Sequence, residues 1–428
     1  MVTIAFKDLA ILNVAKRGMP HERITFTPHP VWGKTPEELR AYVEGNDPVS
    51  GKPMMPEIID ALTRPLSAEE SKTGTISPSV GPSTYSDTAD NLQEYYLNNG
   101  MTDYLPIVLP TQARVEAMLK GTSHSPDEKC GQMAGGAYPP WTYTVRQVAV
   151  NAVMAGCRPE YLPVVLAIAS SGTPSLMSST NSFAYAAVIN GPIRDKLNMN
   201  YSIGALGPFA QPNAAIGRAW TLLSRNLANA GIPGDTYMGS QGNNLNYNNL
   251  IMAENEAASP WAPFHVQKGF RAEENVVSMF RGLGITPGQG ARGTSTDTPK
   301  YEEQFSDLFS VFTGFFGGLV VADPLIAVSL HNRGYDTKEK LIDWLYKNTN
   351  QTVKDYKSRD FAYGFDYPRS LKGLEPYATW YKMPDDAVIP RWPHVSDINV
   401  VVVGGQTNAF FQGGCLSYGV SISIDKWA

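Results

Sequence analysis

With 428 residues, 43% hydrophobic and 18% charged, the chain has ample material for a core and is too apolar for disorder. A net charge of −5 with scattered Lys and Arg leaves no basic stripe for a phosphate backbone, so nucleic acid is not expected as a partner. No apolar run is long enough to span a bilayer, and the opening Met1-Val2-Thr3-Ile4-Ala5-Phe6-Lys7-Asp8 meets a charged pair too early for a signal sequence; the expectation is no membrane and a cytoplasmic location.

Residues 1–100 read as an irregular N-terminal extension, because from Gly45 to Asp90 Pro, Ser, Thr and Gly are dense and no apolar period is sustained. Leu105 to Leu109 then reads as a short strand and Gln112 to Lys120 as a helix. Val145, Val148, Ala149, Ala152 and Val153 carry helical spacing that Gly156 is placed to end, and Pro159 starts a second, almost wholly apolar element to Ser170. Ser182 to Ile189 reads as a strand ending in Asn190-Gly191-Pro192, and Ala214 to Ala230 as a long helix.

Further strands are expected at Leu250 to Ala253, Val276 to Phe280, Gly318 to Ala322 and Asn399 to Val403. Helices are expected at Phe305 to Phe316, Pro324 to Asn332 and Lys338 to Tyr346. This alternation predicts an α/β fold with a mainly parallel sheet, flanking helices and two similar α/β lobes. The first lobe spans residues 101–275. The second spans 276–428 and holds a Tyr-, Trp- and Pro-rich insertion at 348–397, a candidate lid or subunit contact.

The densest chemistry lies between Glu254 and His265, just past the Leu250 strand, where open α/β sheets place their ligands. Residues i and i+2 of a strand share a face, so Glu254 and Glu256 are expected to point together and to divide into an acid and a base, with His265 returning beside them. The plainer alternative is that Glu256 caps a helix, Glu254 pairs with an Arg and His265 is a core histidine. Two carboxylates and an imidazole can also hold a divalent metal, although no HxH, HxxE or HExxH spacing accompanies them; no other cofactor is expected. Ser259 and Trp261, in the same Pro-rich loop, are candidate substrate contacts.

Cys130, Cys157 and Cys415 form no CxxC pair and are expected to be thiols. Cys157, beside Arg158 at the start of a helix, is a candidate nucleophile because dipole and charge favour its thiolate; its alternative is a buried, inert cysteine. Cys130, in a polar Gly-flanked stretch next to Lys129, is expected to be more accessible. Glycines leading to Pro212, Asn213 and Arg218 form a candidate anion site at a helix start, against the alternative of a plain cap. Gly288 to Gly293 is a weaker anion-loop candidate.

Taken together, the segment Thr102-Asp103-Tyr104-Leu105-Pro106-Ile107-Val108-Leu109-Pro110-Thr111, the block Asn151-Ala152-Val153-Met154-Ala155-Gly156-Cys157-Arg158-Pro159-Glu160-Tyr161, Asn190-Gly191-Pro192-Ile193, the Asn213–Arg218 segment and the Glu254–His265 cluster make the chain resemble the long domain of the UGSC family of (seleno)proteins. The resemblance covers 102–405, and Asn151, Arg158 and Asn190 within its blocks are expected beside the substrate. The family takes its name from a Sec-Gly-Ser-Cys or Cys-Gly-Ser-Cys element, which implies thiol or selenol redox chemistry in some members; Cys130-Gly131-Gln132-Met133 is the closest echo in this chain. The leading expectation is an enzyme acting on a small, anionic metabolite by acid/base chemistry of the lyase or hydrolase type. A thiol-dependent oxidoreductase, or a subunit of one beside a small thiol-containing partner, is the second, and a non-catalytic binding protein the third. A homo-oligomer is a further candidate assembly.

Overall fold

A computed structural model gives the structure and describes residues 1–74, 84–133, 135, 141–177, 180–288, 300–312 and 314–428. Its centre is a six-stranded sheet of β1 (Ala184–Asn190), β2 (Leu250–Ala253), β3 (Val276–Gly288), β4 (Gly318–Ala322), β5 (Ile398–Val402) and β6 (Phe411–Ser423), in the order β5-β4-β6-β3-β1-β2. The expectation of a mainly parallel sheet is corrected. Parallel neighbours occur at the two flanks, β1 with β2 and β4 with β5, while β3 and β6 run antiparallel to their neighbours. The reason is the connectivity: each parallel pair is followed by a long return strand that needs no helical crossover. Strands from both sides of residue 275 join in this one continuous sheet.

The sheet is rolled until its edges touch. Asn255 N, just past β2, donates to Val402 O of β5 at 2.7 Å, and Asn255 Nδ2 donates to Gly404 O at 2.9 Å. Alternate side chains of all six strands, among them Ala186, Met252, Phe280, Leu319, Val401 and Leu416, accordingly pack against one another inside the roll.

The opposite faces of the strands lie under helices. Over β1, β2 and β3 lie α1 (Gln112–Leu119), α2 (Val145–Met154), α3 (Leu162–Ser170) and, after the short α4 (Ile193–Lys196), α5 (Gln211–Ala228). After a one-turn α6 (Phe264–Gln267), α7 (Tyr301–Ser310), α8 (Pro324–Asn332) and α9 (Lys338–Asn348) cover β4 and β5. Local chemistry sets several starts: Thr144 and Gln147 close a capping box on α2, and Asp323 accepts from Ile326 N to cap α8. Leu105 to Leu109 forms no strand; its backbone runs as a loop beside α1 and α5.

The N-terminal residues carry helices at Lys7–Lys16, Pro36–Glu44, Met54–Thr63 and Ala89–Asn98. The second starts at a capping box of Thr35 and Glu38 with Pro36 in its first turn. The insertion 348–397 closes on itself: Asn350–Thr352 pairs with Val388–Pro390, and Val353, Tyr356, Ala362, Trp380 and Ile389 form a small core of its own.

Strand β6 is built around glycines. A Cβ on Gly282 of β3 would lie 1.8 Å from Cys415 O, and one on Gly413 would lie 2.3 Å from a Leu308 methyl. These approaches let β6 bend, with bulges at Cys415/Leu416 and Tyr418/Val420, and let the sheet curl.

Candidate functional site

Where β1 and β2 end, the chain turns at Asn190-Gly191 and at Glu254-Asn255-Glu256, and the two turns interlock. Asn190 Nδ2 donates to Glu254 Oε2 at 2.6 Å and to Glu256 Oε1 at 2.8 Å. Gly191 N adds a bond to Glu256 Oε1 at 2.9 Å. Gly191 holds φ +90° with Glu274 O 2.3 Å from where a Cβ would stand, so a side chain at this turn has no room.

The two carboxylates are brought together as expected, but they differ sharply. Glu254 is fully buried and saturated. Oε1 takes Lys338 Nζ at 2.6 Å and Val402 N at 3.3 Å; Oε2 takes Phe264 N at 2.6 Å as well as Asn190. Burial alone would push its carboxyl up. The Lys338 ammonium, aided by the bonds from Phe264 and Asn190, outweighs burial and holds Glu254 below the usual carboxylate value.

Glu256 is bound by Arg194 Nη2 at 2.9 Å and lies 4.0 Å from His265 Nδ1. Arg194 in turn donates to Gly191 O and to Glu254 O. Solvent reaches Glu256, whose side chain is 14% exposed, while Glu254 and His265 are at 0%.

His265 Nε2 faces Ala272 O at 3.3 Å. A carbonyl can only accept, so this nitrogen carries the hydrogen. Among the described residues Nδ1 is buried without a hydrogen-bond partner, and so is Asn190 Oδ1. The Asn190 amide cannot be reversed to satisfy that oxygen, because its nitrogen already faces two carboxylates.

One residue turn beyond His265, Lys268 reaches back over the rings of Phe264 and Tyr418 at 4.8 and 4.3 Å and donates to Asn399 Oδ1 at 2.9 Å. Burial, then the nearby Lys338 charge, lowers its pKa. Among the described residues Lys268 has no carboxylate in ion-pair contact. Lys338, Arg194 and Lys268 escaped sequence reading. Lys338 is far away in the chain; Arg194 and Lys268 each lie three or four residues past a residue already singled out, one in and one just after a one-turn helix with no period.

A divalent metal does not fit the expected set. The Glu254 and Glu256 oxygens are taken up by Lys338 and Arg194, and among the described residues no three His, Cys, Asp or Glu side chains are grouped to hold an ion.

The other candidates stand apart from this cluster. Cys157 Sγ donates to Ala215 O at 3.4 Å, and burial pushes its thiol up to about 12 despite the Arg218 charge. The expected low-pKa thiolate is therefore corrected: the helix that follows begins with a single 3₁₀ turn, and Arg158 is turned out to solvent. Cys130 is corrected likewise. It sits buried in the strand Lys129–Gln132 with Sγ on Leu166 O, its thiol also pushed up to about 12 by burial.

Asn213 does not present a free helix start. Its side chain bridges Asn200 N, Asn200 O and Ile251 O. Arg218 clamps Asp103 with two bonds of 2.8 Å and holds Pro106 O, so it ties the 102–106 loop to α5 and is not open to an anion. Asn151 is buried between Gln147 O and Asn226. Ser259 closes a turn on Trp261, whose indole donates to Tyr335 O; both shape the loop. Of the Gly288–Gly293 loop, all but Gly288 lies outside the described residues.

Among the described residues no helix is long and apolar enough to cross a membrane. In comparisons with known proteins, no family model, no curated protein and no solved structure matches this chain.

Proposed function

We propose that the chain is an enzyme that binds a small anionic metabolite at the Glu256 edge of this cluster and accepts a proton from a hydroxyl or N–H group of it, in a lyase- or hydrolase-type reaction. The observation that carries this reading is the pair of buried acceptors left without a donor, His265 Nδ1 and Asn190 Oδ1, on either side of the one carboxylate of the cluster that solvent reaches. Unsatisfied buried lone pairs are costly and recur at sites that a water or a substrate completes. His265 accepts the proton and Glu256 supports the imidazolium that forms. Glu254, Lys338 and Asn190 are the frame. Arg194, the cation that contacts Glu256 at the solvent-reached edge, supplies the preference for an anion.

A thiol mechanism, which the UGSC resemblance suggests, is the weaker reading, since burial raises both Cys130 and Cys157 away from the thiolate form. The test is a panel of small hydroxy and amino acids, amides and lactones incubated with the protein and followed by mass spectrometry, with His265→Gln as control. A compound consumed by the native chain and spared by His265→Gln supports the proposal; consumption at equal rates, or of no compound, contradicts it.

A further inference from the structure

Beneath the 348–397 insertion lies a cavity of about 260 Å3, walled by Tyr356, Phe361 and Trp380 of the insertion, by Phe315, and by Arg281 and Ser417 of β3 and β6. Arg391 forms part of its wall. It is 94% buried, since only 6% of its surface is exposed. Its guanidinium donates to Phe312 O at 2.6 Å and Asn350 O at 3.5 Å, both neutral carbonyls, and Nε has no acceptor among the described residues. A buried cation with no carboxylate in ion-pair contact among the described residues, and a spare donor, is the arrangement a bound anion completes.

The other charges around the cavity do not meet that need. Asp366 is engaged by Arg369 at 3.0 Å and by Tyr356 OH at 2.9 Å. Asp397 accepts from His394 N at 2.9 Å, and burial pushes its carboxyl up, toward the neutral form. Arg281 adds a second cation, packed on the Phe183 ring at 5.6 Å. The balance is positive inside a wall of aromatic faces.

We propose that this cavity binds a small aromatic carboxylate, with its ring among Tyr356, Phe361 and Trp380 and its carboxylate on Arg391. The size suits a single ring, being near the lower end of the roughly 300–1,000 Å3 of small-molecule sites, and a flat guanidinium suits a carboxylate. The site is independent of proton transfer at His265 and stands if that reading fails.

Calorimetric titration of the full chain with benzoate, benzamide and inorganic phosphate tests it. Benzoate is expected to bind, with benzamide and phosphate at least about tenfold weaker, the worth of one charge-assisted bond. Arg391→Gln, checked for an intact melting transition, is expected to weaken benzoate by about tenfold or more. Arg391 also holds main-chain carbonyls. If Arg391→Gln does not fold, Arg281→Gln at the exposed rim decides, with an expected several-fold loss and with benzoate slowing amide exchange across residues 388–394 of the native chain. No benzoate heat up to about 10 mM, equal binding of benzamide or phosphate, or undiminished benzoate binding by folded Arg391→Gln overturns the proposal, as does Arg281→Gln without loss or protection.

Discussion

Glu254 and Glu256 are two residues apart and do different work, and their partners explain why. Glu254 exchanges water for an ammonium, two main-chain N–H groups and an amide. Removing one member of such a buried pair leaves a bare charge, so Lys338→Met is expected to cost about 3–5 kcal/mol in unfolding by denaturant. The pH dependence follows in sign. The folded carboxyl is held below its unfolded value, so its contribution is full above about pH 4.3 and is lost as pH falls through the folded value. In an acid titration of stability, the double variant Glu254→Gln/Lys338→Met is expected to lose less between pH 5 and its unfolding midpoint than the native chain does; equal slopes would show that Glu254 is not the group concerned. At Cys157, brief iodoacetamide treatment of the folded protein is expected to label at least about a hundredfold more slowly than a free thiol, and rapid labelling would show that the sulfur reaches solvent as thiolate.

At the scale of elements, α5, α8 and α9 and strands β1, β2, β4 and β5 were legible because buried parallel strands read as continuous apolar runs and helices as a sustained 3.6 period. Strand β6 was not, since Gly413, Gly414 and Gly419 remove the side chains that make a strand readable, and the reason for Gly413 and Gly414 lies in Leu308 of α7 and Ile285 of β3. Gly282→Ala would drive a methyl into Cys415 O and is expected to cost about 1–3 kcal/mol or more. Gly419→Ala, where the nearest atom is Met279 O at 3.5 Å, is expected to be tolerated in the same thermal unfolding assay. Comparable losses in both would mean that backbone entropy, not close approach, selects glycine in the β3–β6 pair. The short helices of the N-terminal residues were hidden for another reason: Pro36 and Thr35 punctuate a helix start but read as loop without the period that follows.

At the scale of the molecule, the clustering of Glu254, Glu256 and His265 was legible because strand end and Pro-rich loop are local in the chain. Their counter-ions were not, because the rolling of the sheet brings Lys338 and Val402 to Glu254 from the far end of the sequence. An open two-faced sheet was the natural reading of alternating strands and helices; the contact of Asn255 with Val402 and the interior shared by six strands depend on twist and bulges that no local pattern announces. The roll also explains how one end of the molecule holds the buried Glu254 frame and the solvent-reached Glu256 together. The most direct test of that division compares His265→Gln with Lys338→Met, measuring turnover of the metabolite found by screening and the unfolding free energy on the same samples. His265→Gln keeps a donor for Ala272 O and is expected to lose turnover by about 10²–10⁴ with a nearly native unfolding transition, while Lys338→Met is expected to lose stability first. Native turnover in His265→Gln, or a loss matched throughout by unfolding, would contradict a catalytic role for this cluster.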